Sequence, residues 1–244
     1  MLQAIMNPPY RPAKSSSPFL QVTAEDAVTV AEIVFEKVFR VDWSEPGFAI
    51  VVLPGENDSK ALRRFMVDLK LALSAIYSAR WGEPLEYLSL GRFDQQSTTK
   101  LHLDGAPEIS LLILGYEPTK VRSELQITDY SRCARDLGLT PTEFLKEHNP
   151  MFAAGQELLE PYTTRLRDWY EERPRIVMIN NSHAAPSSPR HNAGVMHGAT
   201  ILRPDPNASR IINSTMIAPA SCVLEDAAAK QAEFLKTELI SGVI

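Results

Sequence analysis

The stretch KLHLDGAPEISLLIL, residues 100–114, places a histidine and an aspartate at the end of one strand-like run and leads into a second run. Side chains two positions apart on a β-strand point to the same face of its sheet. His102 and Asp104 can therefore face one ion together, while Leu103 faces the other way. We interpret the pair as part of a metal site, and the alternative is a hydrogen-bonded strand pair without a metal.

Short strand-like runs recur on both sides of this stretch, separated by polar, Gly, Pro or Asp turns. Such a series predicts a closed or double-layered antiparallel sheet. We predict a core sheet over residues 85–217, with a mostly helical insertion at 120–172 in which Thr140 and Pro141 begin a helix. The runs are LEYLSLGRF (85–93), TTKLHLD (98–104), EISLLILGY (108–116), RIVMINN (175–181), AGVMHGATIL (193–202) and SRIINSTMI (209–217).

Helical support is predicted before the core sheet, over residues 21–83, together with one strand, GFAIVVLP. Thr23 is the expected N-cap of the first helix. The second helix is expected to begin at Asp58 or Ser59 and to end before Gly82, because short polar residues cap helix starts and glycine follows helix ends.

The two ends of the chain complete the predicted organisation. Residues 1–20 carry four prolines and a serine triplet and are predicted to form an extended arm. Residues 224–241 are predicted to form a C-terminal helix. The fold class is therefore β-rich α+β, with a single domain over residues 1–244 that is long enough to bury a large core.

The charge and the cysteine content of the chain indicate which kinds of partner and which cellular compartment to expect. The net charge of −5 argues against broad electrostatic binding to nucleic acid or to an anionic membrane. Two cysteines, Cys133 and Cys222, make no disulfide framework, which favours a reduced, cytoplasmic location. We see neither a secretory signal pattern nor an apolar run of transmembrane length.

A third metal ligand is expected from a distant strand. His197, in GVMHGATI, lies among apolar and small residues, which is unusual for a surface histidine. A core histidine without a metal is the structural alternative. His191, followed by Arg203, is the rival ligand, but its surroundings SSPRHNAG are typical of a loop. We favour His197 because metal ligands are best held on rigid elements. Two imidazoles and one carboxylate are the ligand set of non-heme Fe(II) oxygenases.

Arg210 is the candidate for binding an anion. If 193–202 and 209–216 form a hairpin, Arg210 returns beside the strand that carries His197. A buried guanidinium needs an anionic partner, and its planar geometry matches a carboxylate. Ser214 would share the same strand face and could bond the same carboxylate. The alternative for Arg210 is a structural salt bridge at a strand end.

The segments HLD, VMHGA and RIINS together resemble the Fe(II)/2-oxoglutarate-dependent dioxygenases over roughly residues 85–217. The resemblance implies a double-stranded β-helix, or jelly roll, buttressed by N-terminal and C-terminal helices. It implies that His102, Asp104 and His197 bind Fe(II) and that Arg210 binds 2-oxoglutarate. Ser214 matches the family's hydroxyl partner less closely, because it lies four residues after the arginine rather than two.

The same resemblance implies an activity. A member of this family would use O2 and 2-oxoglutarate to hydroxylate a small-molecule C–H bond, with release of succinate and CO2. Halogenating relatives replace the carboxylate ligand with a small residue, so Asp104 favours hydroxylation. Two alternatives stay open: a cupin-like metal-binding protein or metalloenzyme that does not use 2-oxoglutarate, and a purely structural jelly roll.

Overall fold

A computed structural model describes residues 19–21, 26–54, 58–148, 150, 152–167, 173–185, 193–223 and 228–241. Two sheets form the centre of the molecule, and helices cover both outer faces. The helices are α1 (Ala27–Val38), α2 (Ser59–Trp81), α3 (Tyr130–Asp136), α4 (Pro141–Glu147), α5 (Ala153–Leu159) and α6 (Ala228–Lys236). The strands are β1 (Phe19–Gln21), β2 (Phe48–Val52), β3 (Leu85–Asp94), β4 (Thr99–His102), β5 (Leu111–Tyr116), β6 (Arg122–Thr128), β7 (Thr163–Leu166), β8 (Arg175–Asn180), β9 (Met196–Arg203) and β10 (Ile211–Pro219).

The strands form a six-stranded sheet in the order β1-β2-β8-β5-β10-β3 and a four-stranded sheet in the order β4-β9-β6-β7. Neighbouring strands are antiparallel, except that β1 pairs with β2 in parallel. The sheet-rich architecture with helices before and after it confirms the predicted fold class. Whether the two sheets form a jelly roll, the finer prediction, depends on the order in which the chain passes from one sheet to the other.

Alternation along β5 shows how the layers are built. Leu111 and Ile113 pack with α1 and α2 on the outer face of the large sheet, whereas Leu112 and Leu114 face the small sheet. Because both faces of this strand are buried, its sequence is a continuous apolar run rather than an alternating one. The large sheet therefore lies between a helical layer and an inner core shared with the small sheet.

The long helix α2 is set by its ends as the sequence predicts. The Asp58 side chain accepts hydrogen bonds from the backbone N–H groups of Lys60 and Ala61, and Gly82 ends the helix in the left-handed conformation at φ 80°. In α1 the prediction of the cap was wrong. Asp26, rather than Thr23, is the N-cap and accepts from Val28 and Thr29, so the helix begins one turn later.

The prediction of a mostly helical insertion at 120–172 requires correction. The segment contains α3, α4 and α5, and Thr140 caps α4 with a complete capping box to Glu143. It also supplies β6 and β7, half of the small sheet. The sequence of β6, RSELQIT, has only two apolar residues, Leu125 and Ile127, so its alternating pattern is a short and weak strand signal.

The predicted hairpin between 193–202 and 209–216 does not form. Strand β9 belongs to the small sheet and β10 to the large one, and β10 pairs with β3 and β5. The connection at 204–210 therefore crosses from one sheet to the other. Arg210 reaches the space between the sheets because of this crossing, and not because of strand pairing with β9.

The two ends of the chain differ in part from prediction. Within the predicted arm, residues 19 and 20 begin a short strand, and residues 1–18 lie outside the described part. The predicted C-terminal helix 224–241 is shorter, at Ala228–Lys236. Among the described helices, none combines the length and apolar character needed to cross a membrane.

Candidate metal centre

Two neighbouring strands of the small sheet bring the histidines together. His102 on β4 lies directly opposite His197 on β9, and the centroids of their rings are 4.3 Å apart. The preceding residues, Leu101 and Met196, point the other way and pack against α3 and α4. Strand alternation thus turns both imidazoles toward the large sheet while their neighbours anchor the strands to the helices outside.

Asp104 completes the group from the loop that follows β4. Its carboxylate oxygens lie 3.5 Å from Nε2 of His102 and 3.8 Å from Nε2 of His197. One ligand atom from each of the three residues lies within 4.8 Å of the others. Ions bound at about 2.0–2.2 Å draw their ligand atoms to spacings of this order. His102, Asp104 and His197, predicted from distant segments, are therefore brought to one point.

The hydrogen bonds of the rings suit metal binding. Nδ1 of His102 lies 2.7 Å from the backbone oxygen of Lys100, and since a carbonyl only accepts, Nδ1 carries the proton. Nε2 of His102 is then left with a lone pair directed at the triad, the arrangement common among metal-binding histidines. Nδ1 of His197 is buried and has no hydrogen-bond partner among the described residues.

Electrostatic effects favour the metal-binding forms of two of the three groups, the neutral imidazole of His197 and the carboxylate of Asp104. Burial, assisted by the charge of His102, lowers the pKa of His197 to about 4, so its imidazole is neutral at pH 7. Burial alone would raise the pKa of Asp104, but the His102 hydrogen bond and the attraction of the two neighbouring imidazoles lower it below its usual value. In the protonated form of His102, Nε2 donates to Asp104, and this hydrogen bond raises the pKa of His102 against the effect of burial. Loss of that proton frees the Nε2 lone pair for a metal.

The triad lies in the wall of a cavity of about 500 Å³ between the two sheets. This volume falls in the range of small-molecule sites. His102 and Asp104 remain about one-third exposed, so a bound ion would keep open positions on the cavity side. The other lining residues are Ser89, Phe93, Gln95, Thr99, Gly105, Leu112, Leu114, Tyr116, Leu125, Gly198, Ala199, Ile212, Ser214 and Met216.

Gly198 explains how β4 and β9 approach each other beside the triad. A Cβ atom at this position would lie 3.1 Å from the backbone oxygen of Thr99 and 3.1 Å from the carbonyl carbon of Lys100. These distances are tighter than ordinary van der Waals contact, so a side chain there would push β4 away. The small residue after His197 therefore helps to set the spacing of the two histidines.

Arg210 is fully buried behind the cavity wall. Its Nε donates to Oγ of Ser123 at 3.1 Å, its Nη1 donates to Oε1 of Gln95, and its guanidinium lies 5.0 Å from the centroid of the Tyr116 ring. Gln95 and Tyr116 themselves line the cavity. Arg210 is thus separated from the cavity by the side chains that contact it.

The surroundings of Arg210 do not neutralise its charge. Burial lowers the pKa of Arg210, and burial also raises the pKa of Tyr116, so the phenol stays protonated at neutral pH. Asp94 accepts from the backbone N–H of Arg210 at 2.8 Å. Among the described residues the guanidinium forms no ion pair with a carboxylate, and Nη2 has no hydrogen-bond partner. Tyr116 and the charge of Asp94 offset the burial of the guanidinium only in part. A buried cation that pairs with no carboxylate is costly unless an anion binds it.

Ser214 lines the same cavity from β10, together with Ile212 and Met216. The predicted sharing of a strand face by Arg210, Ile212 and Ser214 agrees with this placement. The described residues include no hydrogen bond between Ser214 and Arg210, so their joint contact with one carboxylate stays a prediction.

Other residues named from the sequence lie elsewhere. His191 falls outside the described residues, so its rivalry with His197 is untested. Arg203 is exposed at the far end of β9. Cys133 is buried and Cys222 exposed, and both are free thiols.

Three partners of the site residues were not anticipated. Gln95 and Ser123 contact Arg210, and the Asn181 side chain bonds the backbone of Asp104. Gln95 lies in a turn and Ser123 in an overlooked strand, so neither carried a sequence signal. Asn180 and Asn181 end a predicted strand just before a long polar loop, and this position indicates that their amides could face the pocket, although not which residue they contact.

Neither a protein-family model nor a curated protein matches this sequence. Among solved structures, a candidate alpha-ketoglutarate dependent 2,4-D dioxygenase from Burkholderia xenovorans is similar, with a TM-score of 0.42 and 11% identity over 82% of this chain and 93% of that one. A variant of the iron and alpha-ketoglutarate-dependent endoperoxidase NvfI has a TM-score of 0.34 and 11% identity over 70% of this chain and 75% of that one. Because both TM-scores lie below 0.5, the function is inferred from the residues of the site and not from these likenesses.

Proposed function

We propose that this protein is an Fe(II)- and 2-oxoglutarate-dependent oxygenase that hydroxylates a C–H bond of a small molecule. In the overall reaction, substrate R–H, 2-oxoglutarate and O2 give R–OH, succinate and CO2. The observation that carries the proposal is a His-Asp-His group in the wall of one cavity, with a buried arginine that pairs with no carboxylate among the described residues directly behind that wall. The ligands suit Fe(II), and the arginine suits a carboxylate.

His102, Asp104 and His197 would hold the metal through Nε2, a carboxylate oxygen and Nε2. The fit rests on the Nε2 lone pair of His102, fixed by the Lys100 carbonyl, and on the neutral form of His197. One carboxylate and two neutral imidazoles are the ligand set of non-heme Fe(II) oxygenases. When bound, Fe(II) would supply the O2 chemistry that couples oxidation of 2-oxoglutarate to oxidation of the substrate.

Arg210 would bind the carboxylate of 2-oxoglutarate that lies farther from the triad. The guanidinium is already oriented by Ser123 and Gln95, so little side-chain entropy is lost on binding. Because Gln95 and Tyr116 lie between Arg210 and the cavity, we expect their side chains to move aside or to share the carboxylate. Ser214 would donate its hydroxyl to the same group from the neighbouring wall.

The apolar part of the cavity wall would keep water away from the reacting atoms. Leu112 and Leu114 from β5 and Ile212 and Met216 from β10 form this wall on the large sheet. A dry cavity strengthens the attraction between Arg210 and a carboxylate and limits side reactions with water. Orientation of the substrate C–H bond would follow from the same packed surface.

We also propose that the eight strands β3 to β10 form a double-stranded β-helix. The strand orders β3-β10-β5-β8 and β4-β9-β6-β7 within the two sheets support this proposal. Successive strands pass from one sheet to the other, apart from β6 and β7, and such a path is typical of a jelly roll. A cytoplasmic location is proposed on the two free thiols, since reduced cysteines are typical of that compartment.

The activity is tested by supplying the purified protein with Fe(II), 2-oxoglutarate, ascorbate and O2 and measuring succinate. Even without its substrate, an oxygenase of this class should form succinate slowly, and formation should require Fe(II). His197→Ala should lose the activity because one of three ligands is gone. Succinate formation at the rate of a protein-free control, or an equal rate in His197→Ala, would refute the proposal. Metal binding without succinate would instead favour the cupin-like alternative.

A further inference from the structure

The carboxylate of the triad is held differently from the two histidines. His102 and His197 lie on strands of the small sheet, whereas Asp104 lies in the loop between β4 and β5. A loop carboxylate has no strand pairing to fix its position. Its alignment with the imidazoles must come from other contacts.

Among the described residues, the hydrogen bonds to the backbone of Asp104 come from the side chain of Asn181. Its Oδ1 accepts from the backbone N–H of Asp104 at 2.9 Å, and its Nδ2 donates to the backbone oxygen of Asp104 at 3.0 Å. The amide thus bonds both polar groups of one residue, as a neighbouring strand would. Asn181 is only 1% exposed, so these bonds are shielded from water.

Asn181 is itself fixed to the large sheet. It directly follows β8, its backbone N–H donates to the Ser110 oxygen at 3.0 Å, and its Nδ2 also donates to Oγ of Ser110 at 3.1 Å. Asn181 therefore joins the loop that carries Asp104 to the sheet opposite the histidines. The distance between the carboxylate and the imidazoles then depends on this connection between the sheets.

We propose that Asn181 is a positioning residue that holds Asp104 ready for the metal before the metal binds. This inference rests on the metal site of the proposed function but not on the use of 2-oxoglutarate. Residues that orient metal ligands in this way typically change metal affinity by about 10–100-fold when replaced. Replacement of Asn181 by leucine, which has similar size and no hydrogen-bonding atoms, should weaken metal binding by about that factor.

Ser182 provides a matched control. It is also 1% exposed and bonds Ser110 through its Oγ, which accepts from the N–H at 3.2 Å and donates to the oxygen at 3.3 Å. It makes no contact with Asp104 in the described hydrogen bonds. Ser182→Ala should therefore disturb the same buried network and reduce stability while leaving metal affinity unchanged.

The experiment is calorimetric titration of Co(II) into the metal-free protein, with the visible spectrum of the bound Co(II) as a second readout. Five proteins are compared: the unchanged chain, Asn181→Leu, Ser182→Ala, Asp104→Ala and the double variant of Asn181 and Asp104. If Asn181 acts through Asp104, the double variant should bind Co(II) as Asp104→Ala does. Such non-additivity is the signature of two residues in one interaction.

The outcomes separate the inference from the function. Weaker Co(II) binding in Asn181→Leu, a changed Co(II) spectrum and no further loss in the double variant would support the positioning role. Affinity equal to that of the unchanged chain, or an independent loss added to that of Asp104→Ala, would overturn it. If Asn181→Leu does not fold, Asn181→Ser, which is too short to span both bonds, is judged by the same criteria.

Addition of 2-oxoglutarate to the same Co(II)-loaded samples tests the proposed function separately. If 2-oxoglutarate leaves the spectrum of Co(II) in the unchanged protein unaltered, the proposed function is weakened while the comparison of affinities still decides the role of Asn181. If the unchanged protein binds no Co(II), both the metal site and the positioning role are overturned.

Discussion

Arg210→Met should leave the stability of the fold unchanged or raise it, whereas it should weaken the binding of 2-oxoglutarate. The substitution removes the guanidinium and keeps most of the apolar stem that packs behind the cavity. Two side-chain hydrogen bonds, to Ser123 and Gln95, are lost, and each contributes about 1.5–3 kcal/mol as a bond to a charged group. Against this loss, a fully buried charge without an ion pair no longer has to be removed from water.

The balance can be estimated from related replacements. Exchanging buried ionic groups for apolar ones of similar volume is often neutral or stabilises the fold by about 1–4 kcal/mol. For 2-oxoglutarate the sign is reversed, because losing one partner of a buried charge pair costs about 2–5 kcal/mol. At about 1.4 kcal/mol for each tenfold change, 2-oxoglutarate should bind roughly 30- to 4,000-fold more weakly.

Two assays on the same preparation measure these effects. Urea unfolding of the metal-free protein gives the change in stability, and calorimetry of 2-oxoglutarate binding to the Co(II)-loaded protein gives the change in affinity. Arg63→Met is the matched control. Arg63 is also fully buried, but its Nη1 donates to the backbone oxygens of Phe234 and Thr237 at 2.6 and 2.5 Å, at the end of α6.

Like Arg210, Arg63 has an Nη2 without a hydrogen-bond partner among the described residues, but its other bonds go to carbonyls far from the metal site. Arg63→Met should therefore destabilise the fold and leave 2-oxoglutarate binding unchanged. The reasoning for Arg210 is refuted if Arg210→Met loses as much stability as Arg63→Met and still binds 2-oxoglutarate as the unchanged protein does. That pattern would make Arg210 a structural residue.

Further predictions concern the fold around the site. Gly194→Ala should destabilise the protein by about 1–3 kcal/mol or more in urea unfolding, because a Cβ there would overlap the backbone oxygen of Ser182. Gly91→Ala is the control, since a Cβ at that position meets nothing within 4 Å. Equal losses of stability in the two variants would contradict the prediction. Hydrogen bonds from the backbone and side chain of Thr140 lower the pKa of Glu143 below its usual value of 4.5. The capping box should therefore stabilise α4 above about pH 4.5 and lose this contribution as the pH falls through the lowered pKa. In Glu143→Gln, the free energy of unfolding should depend less on pH in this acidic range. Urea unfolding at several pH values measures it, and the same pH dependence in the variant and the unchanged protein would contradict the prediction.

The elements that the sequence predicted well are those whose signals are local. The ends of α2 follow from Asp58 and Gly82, whose side-chain and backbone properties act within one turn. The strands β5 and β8 were recognisable because each is buried on both faces and contains an apolar run, LLIL in β5 and IVMI in β8. His102, Asp104 and His197 could be grouped because strand alternation and ligand chemistry both constrained them.

What the sequence could not supply depends on contacts between distant segments. The hairpin predicted for Arg210 was wrong because pairing between β9 and β10 competes with the pairing of β10 to β3 and β5, which no local pattern reveals. Strand β6 was missed because it contains only two apolar residues, Leu125 and Ile127, and its burial depends on pairing with β7 and β9. The bonds of Asn181 to Asp104 link residues 77 positions apart, so their geometry emerges only when the two sheets are assembled.

The central claim is that His102, Asp104 and His197 hold Fe(II) with two open positions that accept 2-oxoglutarate. The most direct measurement is anaerobic titration of the protein first with Fe(II) and then with 2-oxoglutarate, followed by visible absorption. We predict one Fe(II) per chain and a charge-transfer band that appears only when 2-oxoglutarate is added and is absent in Asp104→Ala. Iron binding with no new band on addition of 2-oxoglutarate, or the same band in Asp104→Ala, would contradict the claim.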